Sequence, residues 1–156
     1  MREERPEERK VCVVAASGAW PFYRLTGAYV SQAQRGFQGA ARLGFYSGRQ
    51  IHGLVPRIEH VVSSVPADAA HAAGLALSAD PVERRVGEAL AAALHQGPVP
   101  DPAQVVLLSR PGDPATLTIT PVTHHGGTAW TLFQRYVDLS RLRAAATTDD
   151  LANAVA

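Results

Sequence analysis

Unbroken apolar runs, alternation and helical spacing follow one another along the chain, and the breaks between them outline its elements. Val11 to Ala16 is continuously apolar and rich in β-branched residues, and Ser17-Gly18 closes it, which predicts a buried first strand. From Trp20 to Ala41 the spacing is mixed. Pro21 suits the first position of a helix, and Tyr23, Tyr29 and Val30 keep partial helical spacing, but Gly27, Gly36 and Gly39 interrupt it. A short helix or irregular loop over Pro21 to Gln34, then a Gly-rich connection, is expected. From Arg42 to Val65 the pattern alternates: Leu43 and Phe45 against Gly44 and Tyr46, then the turn-forming Ser47-Gly48, then an extended run from Ile51 to Ile58, Val61 and Val62. This predicts a β-hairpin around which the rest packs. Pro56 lacks a ladder N–H and marks an edge or bulge in the second strand. Ile58, His60 and Val62 share one face beyond it, which places His60 in or near the core.

The second half is more helical. Pro66 to Ala79 is alanine-rich with Asp68 near its start. Asp80-Pro81-Val82-Glu83 combines an N-cap residue, a proline at the first helical position and a glutamate in the capping-box position. Val82, Val86, Leu90, Ala93 and Leu94 then form one stripe and Gly97 stops it, so Pro81 to Gln96 reads as a helix with Arg84, Arg85 and Glu88 on a solvated face. Val105 to Ser109 reads as a buried strand, the Arg110–Pro114 stretch as a turn and Leu117 to Pro121 as its hairpin partner. Thr123 to Gly127 is a loop, Trp130 to Val137 a further strand, and Asp138 or Ser140 starts a C-terminal helix carrying Leu139, Leu142 and Ala145. These elements predict an α+β fold with an antiparallel or mixed, barrel-like sheet and flanking helices. The expected organisation is a flexible lead-in over 1–10, a single domain over 11–146, and a tail or short helix over 147–156.

Charge changes the picture. Between Val11 and Ile58 stand Arg24, Arg35, Arg42, Arg49 and Arg57 and no acid, a formal charge of +5; residues 59–156 hold six arginines against ten acids, a charge of −4. The net charge of +1 hides that asymmetry, which points to an anionic partner. The basic segment also holds Trp20, Phe22, Tyr23, Tyr29, Phe37, Phe45 and Tyr46, seven of the ten aromatic residues. Arginine interleaved with aromatic rings suits phosphate contact with base stacking, although aromatic residues also build cores. Arg42, Arg49 and Arg57 flank the hairpin and are the leading phosphate ligands, with Arg35 beside them; Trp20, Tyr23 and Trp130 are the stacking candidates.

Enzymatic signatures are sparse. The single cysteine, Cys12, lies in the first apolar run, so neither a disulfide framework nor a cysteine zinc site forms within one chain. His124-His125 beside Gly126-Gly127 is the most enzyme-like feature, a polar loop able to face a ligand, but adjacent strand residues point to opposite faces and seldom hold one metal ion. No GxGxxG, GxxxxGK, HExxH or GxSxG is present, and Ser63-Ser64 has no placed base. No catalytic residue, metal or cofactor is assigned, and a binding role is favoured over an enzymatic one.

The stretch RLGFYSGRQIHGLVPRIEHV, within an order of strand, helical or looped segment, hairpin, helices, strands and terminal helix, resembles the PUA-like superfamily, including EVE and ASCH domains. The resemblance covers the Leu43 to Val62 hairpin in residues and Val11 to Leu142 in topology. It implies a compact β-barrel with flanking helices that binds RNA, or a modified or flipped base, in a cleft beside the hairpin.

The expected function is therefore a nucleic-acid-binding module recognising RNA or a single-stranded or flipped base. The alternatives are a small hydrolase or nucleotide-processing enzyme centred on His124 and His125, and an accessory domain that meets an acidic protein partner. No apolar run approaches the roughly 18 to 20 residues that span a bilayer, and MREERPEERK has no hydrophobic signal core. A cytoplasmic protein without membrane contact is expected.

Overall fold

The computed structural model describes residues 9–33, 35–128, 130–131 and 134–152. In chain order the elements are β1 Lys10–Ala15, α1 Ala19–Thr26, β2 Ala28–Gln32, β3 Arg42–Ser47, β4 Gln50–Ile51, β5 Leu54–Val55, β6 Ile58–Val65, α2 Ala69–Ala76, α3 Pro81–Gln96, β7 Ala103–Leu108, β8 Leu117–Thr118, β9 Val122–Thr123, β10 Gln134–Asp138, α4 Leu139–Ala144 and α5 Asp149–Ala152. The fold is α+β, and it comprises two compact units, each assembled from separated stretches of chain.

The first unit takes the chain through Trp20, Phe37–Arg57 and the chain from Pro111. Its five-stranded sheet runs β10-β1-β3-β4-β9 and curls into a half-barrel. The sheet is mixed: β1 lies parallel to β3 with Cys12 opposite Leu43, and antiparallel to β10. Strands β1 and β3 are buried along nearly their whole length because both neighbours of each are paired, which is why β1 reads as a continuous apolar run rather than an alternation. Val11, Val13, Tyr46, Ile51, Val122, Trp130, Val137, Leu139 and Leu142 form the core on one side of this sheet. Asp138 caps α4 by accepting from the Ser140 and Arg141 N–H groups.

The extended run after the Ser47-Gly48 turn is not one strand. Ser47 pairs with Gln50 and Tyr46 with Ile51, and Gly48 and Arg49, both at positive φ, form a two-residue turn of the primed kind. The ladder then breaks. Leu43 N–H reaches Pro56 O and Arg42 bridges Arg57, so the hairpin resumes across a bulge, while Leu54–Val55 pairs with β8. Gly53 permits the break, because a Cβ there would lie 2.8 Å from Ile119 O. Strand β8 therefore pairs with β5, and the hairpin expected between 105–109 and 117–121 does not form.

The second unit takes Pro21–Gly36 and Ile58–Arg110. Its antiparallel sheet runs β2-β7-β6, with β7 buried throughout, and β2 occupies positions read from sequence as helix or loop. Strand β6 shifts register between Ile58 and His60, which turns His60 outward to solvent rather than into the core. Helix α3 has the bounds its caps predict: Asp80 accepts from the Val82 and Glu83 N–H groups. Glu83 does not close a capping box but accepts from Ser78 Oγ at 2.7 Å. Phe22, Val65, Val86, Leu90, Val105 and Leu107 join the core of this unit.

Of the expected lead-in, residues 1–8 lie outside the described residues, and Lys10 already belongs to β1. Of the tail, Asp149–Ala152 is helical and 153–156 lie outside the described residues. The expected strand from Trp130 begins at Gln134, with 132 and 133 outside the described residues. Among the described residues no helix is long and apolar enough to cross a membrane.

Candidate functional site

Strand β3 organises the first unit's site because its two faces carry different side chains at the turn. In an antiparallel pair, opposed residues share a face and alternate residues return to it. Ser47 opposes Gln50, so Phe45, Ser47 and His52 share one face, while Tyr46 and Ile51 share the other. On the first face Ser47 Oγ lies 2.6 Å from His52 Nε2, and the His52 ring stacks on Trp20 at 4.3 Å and an interplanar angle of 5°. Trp20 also meets Phe45, with ring centroids 5.6 Å apart. His52 is further held by its backbone N–H, which donates to Phe45 O at 2.8 Å.

On the second face Tyr46 packs against Trp130, whose backbone N–H donates to the Tyr46 hydroxyl at 3.1 Å, and meets the edge of His124 at 6.1 Å. The Arg135 guanidinium covers the Trp130 ring at 4.3 Å and donates to Trp130 O. Pairing of β4 with β9 brings the turn beside the histidine loop: Arg49 O accepts from His124 N–H at 2.8 Å, and the Arg49 guanidinium donates to Gly126 O. His124 Nε2 lies 2.7 Å from Thr128 O, which can only accept, so in the neutral ring Nε2 carries the proton and Nδ1 accepts from Thr148 Oγ1 at 2.7 Å. Both nitrogens of His124 are thus engaged within its own surroundings, and His125 is exposed beside it.

A cleft of about 230 Å³ opens at this end of the sheet, lined by Ala15, Ala16, Ser17, Tyr46, Ser47, Gly48 and Thr131. It lies at the carboxyl ends of the parallel neighbours β1 and β3, where Ala15 is in register with Tyr46. Open sheets with parallel strands bind ligands in that position, because the chain must leave both strands there and the loops diverge. Among the described residues the lining has no charged side chain, and the exposed Arg49 follows Gly48 in the turn.

The structure therefore gathers Trp20, Trp130, Arg49 and His124 around the turn end of the hairpin. Arg42 and Arg57 oppose each other at its other end, separated from the turn by the six residues of β3, or about 20 Å of strand. The three arginines do not converge on one groove. Arg42 is half-buried and donates to Val55 O at 3.0 Å and Ala115 O at 2.8 Å, whereas Arg57 is exposed. Tyr23 and Arg35 belong to the second unit. There Tyr23 is completely buried and donates to Ser109 O at 2.7 Å, and Arg35 donates to the Tyr29 hydroxyl at 2.7 Å.

Sequence reasoning did not single out Ser47 and His52. Their signal is the two-residue turn: once Ser47 is set opposite Gln50, His52 becomes its diagonal neighbour on the same face. Among the described residues no group of three or more His, Cys, Asp or Glu is placed to hold a metal ion. No family profile, curated protein or solved structure matches the chain, so the site is read from its own geometry.

Proposed function

We propose that the chain is a nucleic-acid-binding module that takes a single-stranded or flipped-out base at the turn end of the β3–β4 hairpin. The observation that carries this reading is the Trp20–His52 ring stack, linked through His52 to Ser47, which lines a small cleft, with Arg49 in the adjoining turn. Six of the seven aromatic residues in the basic segment are buried, and Trp20 is the one left half-exposed. A half-buried ring already oriented by its neighbours is a preorganised platform for a base, and an arginine in the adjoining turn supplies phosphate contact. A cleft of about 230 Å³ has room for one base and none for a duplex, which favours single strands or extruded bases.

Arg49 has a left-handed backbone at φ 62°, a conformation that costs a non-glycine residue roughly 1 kcal/mol. Glycine would avoid that strain; the arginine side chain there holds Gly126 O and is exposed at the turn. The test is binding of labelled single-stranded and duplex RNA and DNA by fluorescence anisotropy at two salt concentrations, with Arg49→Ala and Arg57→Ala alongside. Single strands bind preferentially and with salt dependence, and each substitution that removes a phosphate contact lowers the salt slope by about one. Absence of binding at low salt by the folded protein rejects the reading.

A further inference from the structure

The geometry points to a second capacity of the same cleft: Ser47 is a nucleophile activated by His52, and the pair transfers acyl groups from small uncharged esters to water. Four observations converge. Ser47 is one of the residues lining the cleft and is only half-buried there. His52 Nε2 lies 2.6 Å from that hydroxyl, inside the distance a general base needs to take its proton. The imidazole is fixed flat against Trp20 and its backbone is tied to Phe45, so the base is oriented before substrate arrives. Among the described residues the cleft lining has no charged side chain, which suits a neutral acyl group of few atoms in about 230 Å³ and disfavours a charged one.

In the first step Ser47 Oγ attacks the ester carbonyl carbon while His52 Nε2 takes the hydroxyl proton. The tetrahedral adduct collapses, the carbon–oxygen bond to the leaving alcohol breaks, and His52 returns the proton to that alcohol. Water then attacks the acyl-serine, His52 takes its proton, and Ser47 leaves with that proton restored. The sum is ester plus water to acid plus alcohol, with no other reactant.

The experiment requires no nucleic acid, so its failure and the failure of the binding reading are distinguishable. The full chain is incubated with a fluorophosphonate probe and the modified residue is located by peptide mass spectrometry. Labelling is expected at Ser47, abolished in Ser47→Ala and slowed at least 10-fold in His52→Gln, with circular dichroism showing that each variant is folded. A Ser47→Cys variant gives an independent readout, because the native Cys12 is fully buried. Iodoacetamide should alkylate position 47 near neutral pH, at least 10-fold faster with His52 present than with His52→Gln. Fluorophosphonate labelling that is absent from the folded protein, falls on another residue, or proceeds at an unchanged rate in His52→Gln would overturn the proposal. So would an alkylation rate at position 47 that ignores His52.

Discussion

Arg42 uses one guanidinium nitrogen to hold two backbone carbonyls, Val55 O and Ala115 O, from segments that are 60 residues apart in sequence. Removing it leaves both acceptors in a half-buried setting without that donor. Arg42→Ala should therefore lower stability by about 1–3 kcal/mol, measured by urea unfolding, with Arg42→Lys recovering only part because an ammonium cannot reproduce the fork of donors. At the C-terminal end Asp150 accepts from the Ala146 and Thr147 N–H groups at 2.9 and 3.0 Å. Those two hydrogen bonds, Thr147 first, hold its carboxyl below the ordinary value of 3.8, so folding favours the ionised form. The stabilisation is complete above that value and is lost as the pH falls through the lowered one. An NMR titration of the Ala146 and Thr147 amides should show a midpoint below 3.8; a midpoint at or above it contradicts the assignment. Residue type alone was a mixed guide at this scale. The aromatics of the basic segment read equally as core and as platform, and the structure separates two of them: Tyr23 is completely buried in the second unit, whereas Trp20 is half-buried and stacked on His52 in the first.

Helices α2 and α3 carry glycines with opposite consequences. A Cβ at Gly87 would lie 2.3 Å from Ala76 N and 2.6 Å from Ala72 O, because the two helices cross there backbone to backbone. A Cβ at Gly74 would meet nothing within 4 Å. Gly87→Ala should thus destabilise by about 1–3 kcal/mol despite its better helix propensity, while Gly74→Ala should stabilise by roughly 0.5–1 kcal/mol. Thermal unfolding of the two variants, with melting temperatures moving in opposite directions, checks both. Where local chemistry decides, the elements were legible: the Asp80 cap, Pro81 and the apolar stripe fixed α3 to the residue. Where pairing decides, they were not. Strand β2 exists because Ala28–Gln32 pairs with β7, a partner more than 70 residues away that leaves no mark on its own five residues. Arg85, read as a surface charge, instead donates to Gly27 O and Leu108 O and pairs with Glu59, so a charged position on α3 ties helix to sheet.

At the scale of the whole molecule, the chain passes between its two units after Trp20, Gly36, Arg57 and Arg110, and neither unit is a continuous segment. A hydrophobic pattern read in order along the chain joins neighbours in sequence, so it merged β6 with the hairpin and β8 with β7, although those strands serve different sheets. The charge asymmetry divides in the same way. Arg42, Arg49 and Arg57 fall in the first unit and Arg24 and Arg35 in the second, and only Arg49 lies at the turn beside the cleft. The candidate site was legible as a hairpin with one arginine and two tryptophans; its Ser47–His52 pair and its place at the ends of β1 and β3 required the register.

The central claim is that a base stacks on Trp20 beside that cleft, and one titration tests it most directly: anisotropy of a labelled single-stranded RNA against the full chain and against Trp20→Ala, each at two salt concentrations. Loss of a stacking contact of about 1–3 kcal/mol predicts a 5- to 150-fold weaker dissociation constant in Trp20→Ala with the salt slope unchanged, because no phosphate contact is removed. An affinity equal to that of the parent chain, in a variant that remains folded, contradicts it.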